Sequence, residues 1–81
     1  MRVRVRLFAS LREAASRSET RLELPEGATA EAAWQALVGE SPALASRRPS
    51  LAVAVNRLYA SFDTVLRDAD ELVFIPPVSG G

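Results

Sequence analysis

Apolar and charged side chains alternate strictly at the start of the chain. Val3, Val5 and Leu7 are apolar, and an arginine precedes each of them. A period of two residues is typical of a strand with one buried face, so residues 2–8 are predicted to form a strand. The alternation returns at residues 19–24, and we expect this second strand to pair with the first as a hairpin.

Two segments have signals of a helix instead. Ser10 is predicted to cap a short helical turn over residues 11–15. Thr29 is predicted to cap the main helix, residues 30–39, and Gly39 is expected to end it. Four apolar residues at helical spacing should lie on the sheet, and we expect the tryptophan among them in the core: Ala33, Trp34, Leu37 and Val38.

The second half of the chain combines short apolar runs with polar turns. Residues 40–50 hold two prolines and are predicted to be a loop with no more than one helical turn. Strands are predicted at residues 51–55, 58–60 and 72–75, separated by a tight turn at Asn56-Arg57 and a polar turn at residues 68–71. This order favours an α+β domain, in which a mixed sheet of about five strands packs on one main helix plus a short helix. If the first and last strands are neighbours, the final residues leave the sheet at its centre.

Length and charge describe one ordinary globular domain. The chain has 81 residues, 48% hydrophobic and 25% charged, which argues against disorder. Ten basic and ten acidic residues cancel, so no overall field attracts nucleic acid or an anionic membrane. No apolar run approaches the length of a membrane span or a signal-peptide core, and we expect a cytoplasmic protein. Residues 1–77 are assigned to the domain and residues 78–81 to a flexible tail.

The composition excludes the usual catalytic groups. The sequence has neither cysteine nor histidine, which removes thiolate metal sites and the commonest general base. Asp68, Asp70 and Glu71 form a cluster of acids of the kind that holds Mg²⁺ or acts as an acid–base pair. Adjacent acids in a turn before a strand are more often solvated turn residues, so we expect no metal site, no bound cofactor and no independent catalytic site.

The remaining chemistry lies in the last residues. Pro76 and Pro77 fix φ and cannot donate to a sheet ladder, so the last strand should end there. Gly80 and Gly81 lack a Cβ and suit a narrow channel. The Gly81 carboxylate is a poor electrophile, so its use requires a partner that activates it as an acyl-adenylate formed from ATP. The product is then a thioester, a thiocarboxylate or an amide.

Three segments carry a resemblance to a known family. They are residues 5–13 (VRLFASLRE), 54–56 (AVN) and 68–81 (DADELVFIPPVSGG). In these segments the chain resembles the small subunit of molybdopterin synthase, the MoaD-type sulfur carriers, and the Pro-Pro-Val-Ser-Gly-Gly ending is the most specific part. The resemblance implies a ubiquitin-like β-grasp fold.

The resemblance also implies a mechanism and a set of partners. A MoeB-type enzyme, using ATP and Mg²⁺, adenylates the C-terminal glycine, and a sulfur donor converts the adenylate to a thiocarboxylate. The tail then enters the MoaE-type large subunit, commonly within a heterotetramer, where the sulfur is transferred to a pyranopterin precursor. In this sequence Gly81 would carry the sulfur and Gly80 would provide the narrow approach. The residues implied to bind the partner are Tyr59, Phe62, Phe74, Ile75, Pro76, Pro77, Val78 and Ser79.

Two departures from the family pattern and three other interpretations accompany this resemblance. Ala69 stands where the family often has glycine, which predicts a turn without a positive φ, and Ile75 stands where an aromatic residue is common. The Gly-Gly ending also fits a ubiquitin-like protein modifier, or a carrier of sulfur for the thiamine pathway or for tRNA, although the preceding Pro-Pro favours the molybdopterin carrier. A β-grasp interaction module with an inert tail is the third interpretation.

Overall fold

The elements follow one another in the predicted order, with three helical segments longer than expected. A computed structural model describes residues 1–77. Its elements are β1 (Arg2–Leu7), α1 (Ala9–Ala15), β2 (Glu19–Glu23), α2 (Ala30–Glu40), a 3₁₀ helix (Pro42–Ser50), β3 (Ala52–Val55), β4 (Leu58–Ala60) and β5 (Glu71–Ile75).

All five strands form one sheet in the order β2-β1-β5-β3-β4. β1 pairs antiparallel with β2, which confirms the predicted hairpin, and it pairs parallel with β5. β5 also pairs antiparallel with β3, so the last strand lies at the centre of a mixed sheet with a neighbour on each side. Hydrogen bonding along both edges makes β5 a fixed support for the residues that follow it.

The core lies between the helices and one face of this sheet. Val5, Leu72 and Phe74 point from the two central strands into the core, and none is exposed to solvent. Trp34 of α2 packs against Phe74 edge to face, with ring centroids 5.1 Å apart and planes at 69°. The prediction that Trp34 is a core residue is confirmed. Within residues 1–77 no helix is long and apolar enough to cross a membrane.

α2 begins as predicted but ends one residue later. The Thr29 hydroxyl accepts a hydrogen bond from the Ala32 N–H at 3.2 Å, which satisfies one of the free amides of the first turn. Gly39 lies inside the last turn, so the prediction that it ends the helix is wrong. The helix stops at Ser41 because Pro42 follows, and a residue before proline is driven out of the helical region of φ and ψ.

α1 starts earlier than the sequence indicated. Phe8 occupies the N-cap position with extended backbone and no side-chain hydrogen bond, and the hydrogen-bonded helix is counted from Ala9. Ser10 is therefore the second helical residue, so the prediction that it caps this helix is wrong. Ala9 itself has a φ of +50°, a left-handed conformation that is unfavourable for a residue with a Cβ.

The segment predicted as a loop is a 3₁₀ helix of nine residues. Leu44 is fully buried and anchors it to the core. Arg48 joins it to α2, because its guanidinium donates hydrogen bonds to Glu31 of that helix at 2.9 and 2.6 Å. The same guanidinium lies 3.5 Å from the centre of the Phe62 ring. These hydrogen bonds hold the pKa of Glu31 below its usual value. Tertiary contacts therefore order a stretch that the prolines alone marked as irregular.

The turn before β5 contains a left-handed alanine. Ala69 has a φ of +71°, so the prediction of a turn without a positive φ is wrong. Its N–H donates to the Arg2 carbonyl at 2.8 Å, and the Asp68 carboxylate accepts the Arg2 N–H at 2.8 Å. Two hydrogen bonds to β1 thus stabilise the turn and offset the cost of the left-handed backbone. Positive φ values at Asn56 and Arg57 confirm the tight turn between β3 and β4.

Candidate functional site

The two faces of the sheet separate the predicted partner-binding residues. Along β5, Leu72 and Phe74 point into the core, whereas Val73 and Ile75 point to the opposite face and are half-buried. We call this second face, which no helix of residues 1–77 covers, the outer face. Tyr59 of β4 is also on the outer face, and 82% of its surface is exposed. The structure therefore places Tyr59 and Ile75 on the same face of the sheet, and their contact with a partner stays a prediction.

Strand register brings further apolar residues to this surface. Val73 pairs with Ala54, and Ala54 pairs with Tyr59, so these three residues form one row across β5, β3 and β4. Phe8 follows β1 on the same face and is 44% exposed. Sequence reasoning missed Phe8, Ala54 and Val73, although the alternation of β1 and β5 could have assigned Phe8 and Val73. We define the contact surface as Phe8, Ala54, Tyr59, Val73 and Ile75.

Phe74 does not belong to this surface. Its side chain has no exposed area, since it is enclosed by Trp34 on one side and by Phe62 on the other, with the two phenyl rings 6.0 Å apart. The prediction that Phe74 contacts a partner is therefore wrong for its side chain. Adjacent residues of a strand point to opposite faces, so Phe74 and Ile75 are on different sides of the sheet.

Phe62 lies on the side of the sheet that carries the helices. Its ring stacks on Phe74 and is covered by the Arg48 guanidinium, and its carbonyl accepts a hydrogen bond from the Glu31 N–H at 2.9 Å. It is therefore separated from Tyr59 by the thickness of the sheet. The prediction that Phe62 shares a partner surface with Tyr59 is wrong.

Pro76 and Pro77 continue from β5 at the end of the sheet. Pro76 is half-buried, Pro77 is exposed, and β5 ends at Ile75 as predicted. The two prolines line one wall of a cleft of about 560 Å³, whose other walls come from the start of α1 and from the 3₁₀ helix, including Arg47. The remaining predicted site residues, Val78, Ser79, Gly80 and Gly81, lie outside the described residues.

The acidic cluster performs a structural task. The Asp70 carboxylate accepts hydrogen bonds from the Asn56 side chain and from the Arg67 N–H, both at 2.8 Å. The Asn56 side-chain oxygen in turn accepts the Glu71 N–H at 3.0 Å. These bonds fix the start of β5 against the β3–β4 turn. No group of three acids placed to hold a metal ion occurs among residues 1–77.

Charged residues border the contact surface on the outer face. Arg4 donates a hydrogen bond to the Glu71 carboxylate at 3.0 Å, and Arg2 donates one to Glu23 at 2.7 Å. Both pairs lie toward the turn at residues 67–70, whereas the apolar residues lie toward Pro76. The outer face is therefore polar at one end and apolar at the end from which the chain leaves the sheet.

Comparison with known proteins identifies the family to which this fold and this surface belong. The sequence profile of the ThiS family matches residues 5–81. The chain belongs to the ThiS family.

Curated relatives of this ThiS-family chain include proteins named molybdopterin synthase sulfur carrier subunit. The protein of that name from Arabidopsis thaliana is 34% identical over 79 residues, covering 98% of this chain and 82% of the relative. The one from Escherichia coli (strain K12) is 38% identical over 81 residues, covering 98% of this chain and 99% of the relative.

Solved structures confirm the ubiquitin-like β-grasp fold. The crystal structure of SAMP1 from Haloferax volcanii has a TM-score of 0.92 to this ThiS-family chain, with 35% identity and full coverage of both chains. A chain from the complex of subunits 1 and 2 of molybdopterin-converting factor from Helicobacter pylori 26695 has a TM-score of 0.69 over the whole of both chains. Its identity is 24%, so it shows the shared fold alone.

Proposed function

We propose that this chain is the sulfur-carrier small subunit of a molybdopterin synthase, and thus one component of a sulfurtransferase. Membership of the ThiS family and full-length relatives of that name support the proposal. The observation that carries it is the position of β5. This strand is central and paired on both sides, and it leads into the Pro-Pro-Val-Ser-Gly-Gly sequence beside an apolar surface.

The proposed chemistry takes place at the Gly81 carboxylate. One of its oxygens attacks the α-phosphorus of ATP, held with Mg²⁺ by a MoeB-type enzyme, and pyrophosphate leaves. Hydrosulfide supplied by a donor then attacks the acyl carbon, AMP and a proton leave, and Gly81 becomes a thiocarboxylate. In the MoaE-type large subunit the thiocarboxylate sulfur attacks a carbon of the pyranopterin precursor, and a carbon–oxygen bond at that carbon breaks as the oxygen leaves. Water then cleaves the acyl–sulfur bond, so that the sulfur stays on the pterin and the Gly81 carboxylate is restored. Gly80 and Gly81 serve this sequence of steps because they have no side chain to obstruct either partner.

The contact surface is proposed to dock on the large subunit. Its apolar side chains and the tail start from the same end of the sheet, so one partner covers both. Tyr59 and Leu58 offer a matched test, because they are adjacent on β4, 82% and 73% exposed, and point to opposite faces. Tyr59→Asp should weaken binding of the large subunit about 30-fold or more, since it buries an unpaired charge. Leu58→Asp should bind within about 2-fold of the unaltered chain. Calorimetric titration that finds the two variants equal would contradict this face.

Deletion of Gly81 tests the carrier function itself. All helices and strands that the structure describes lie before Pro76, so the truncated chain should keep its melting temperature and its affinity for the contact-surface partner within a few-fold. Conversion of the pterin precursor in the reconstituted synthase should be lost. Conversion at the rate of the unaltered chain would refute the proposal.

A second function is that of a ubiquitin-like protein modifier. It is favoured by the similarity to SAMP1 of Haloferax volcanii, since a relative from that organism is named small archaeal modifier protein 1. The sequence has no lysine, and its last arginine is Arg67. Trypsin would therefore leave residues 68–81 attached to any target lysine, a remnant large enough to identify. Recovery of this remnant on many proteins would favour the modifier, whereas its absence from a digest that contains the free 68–81 peptide would favour the carrier.

A further inference from the structure

Arg6 lies at the edge of the contact surface, in the same row as its apolar residues. The parallel register places Arg6 beside Val73, which continues the row to Ala54 and Tyr59. With about 4.8 Å between neighbouring strands, Arg6 and Tyr59 are separated by roughly 14 Å, a distance that one protein partner spans easily. Arg6 is exposed, like the other two arginines of β1.

Among residues 1–77, the other two arginines of β1 form ion pairs with acidic side chains and Arg6 forms none. Arg2 pairs with Glu23 at 2.7 Å and Arg4 with Glu71 at 3.0 Å. Glu19 is the cross-strand neighbour of Arg6, but within residues 1–77 the two side chains form no ion pair. The Arg6 guanidinium lies instead 5.5 Å from the centre of the Phe8 ring. It is thus directed along β1 toward the contact surface rather than across to β2.

We infer that Arg6 determines partner specificity by forming an ion pair with an acidic side chain of the partner that covers the contact surface. The inference rests on the proposed docking of the large subunit. A partner that covers Phe8 also removes water from the guanidinium above it, and a desolvated charge without a counter-charge is costly. The guanidinium lies within cation–π range of the Phe8 ring, and among residues 1–77 it donates no side-chain hydrogen bond, so its N–H groups can donate two parallel hydrogen bonds to a partner carboxylate.

The test compares four chains in binding to the large subunit of the same organism. Arg6→Glu should raise Kd about 10-fold or more, and Arg6→Leu about 3-fold, because the first adds repulsion to the lost pair. The control is Arg21→Glu, which makes the same charge change on the outer face of the sheet. Arg21 is in β2, beside Arg4 and farther from Phe8, so its substitution should alter Kd less than about 2-fold. Raising salt from about 50 to about 300 mM should weaken the unaltered chain more than Arg6→Leu.

Each outcome separates this inference from the proposed function. If Arg6→Glu binds like the unaltered chain while Tyr59→Asp binds weakly, the docking face is correct and the role of Arg6 is overturned. Equal weakening by Arg6→Glu and Arg21→Glu, with no change in salt dependence for Arg6→Leu, also overturns it, since only overall charge would then matter. If neither Arg6→Glu nor Tyr59→Asp alters Kd, both the inference and the proposed docking face fail. Melting temperatures measured for all variants exclude unfolding as the cause of weaker binding.

Discussion

Replacing Ala69 by glycine should stabilise the folded chain, although replacing alanine by glycine usually has the opposite effect. Ala69 has a φ of +71° in the turn that leads into β5, and its N–H is bonded to the Arg2 carbonyl at 2.8 Å. The side chain is exposed, so its removal takes away little packing. The backbone bond to Arg2 is unchanged by the substitution.

The magnitude follows from two opposing terms. A residue with a Cβ costs about 1–2 kcal/mol in the left-handed region, whereas glycine adopts it freely. Glycine also raises the conformational entropy of the unfolded chain, which lowers the free energy of unfolding by about 0.4–1 kcal/mol. The net result is an increase of about 0.5–1 kcal/mol in the free energy of unfolding. For a domain of this size that corresponds to a rise in Tm of roughly 2–8 °C.

Scanning calorimetry on Ala69→Gly and on a matched control measures this difference. Ala45 is exposed, lies in the 3₁₀ helix and is not among the residues with positive φ. Ala45→Gly should therefore lower Tm, by about 2–8 °C if it costs about 0.5–1 kcal/mol. An equal fall in Tm for Ala69→Gly and Ala45→Gly would show that the left-handed backbone at Ala69 is not a source of strain.

Two further predictions concern contacts around α2 and β5. The Arg48 hydrogen bonds lower the pKa of Glu31 from its usual 4.5, so they add stability above that pH and lose it as the pH falls through the lowered pKa. Glu31→Gln should flatten this part of the pH dependence of Tm, and identical acid profiles for the two proteins would contradict it. Phe74→Ala should reduce the free energy of unfolding by about 3–5 kcal/mol, measured by urea titration, because the buried ring leaves a cavity. A loss below about 1 kcal/mol would be inconsistent with the enclosed position of the ring.

Periodicity was sufficient to predict most of this fold. The alternation of apolar residues in β1 and the turn-forming Asn56-Arg57 step identified strands that the structure contains, and Thr29 correctly marked the start of α2. Their signals are local, since each depends on neighbouring residues within one turn or one strand. The order of the elements left open whether β1 and β5 are neighbours, and the parallel pairing of the two strands in the structure answers that question.

The errors arose where contacts between distant segments decide the local structure. Leu44 and Arg48 order the 3₁₀ helix through the core and through Phe62, and neither contact is visible in a loop-like composition. Ala69 adopts a left-handed backbone because β1 supplies its hydrogen-bond partners. Phe74 is a different case, because the two-residue period of β5 already indicated that Phe74 and Ile75 point to opposite faces. Phe74 was assigned to the partner surface by its position in the family, and that assignment disregarded the period.

The central claim, that Gly81 is the sulfur-carrying residue, is tested most directly by mass spectrometry. The chain would be incubated with ATP, Mg²⁺, an adenylating enzyme of proven activity and a sulfide source, and its mass would be measured intact and then, after trypsin digestion, on the peptide of residues 68–81. The account predicts a mass gain equal to the replacement of one oxygen by sulfur, confined to Gly81. An unchanged mass under these conditions would contradict it.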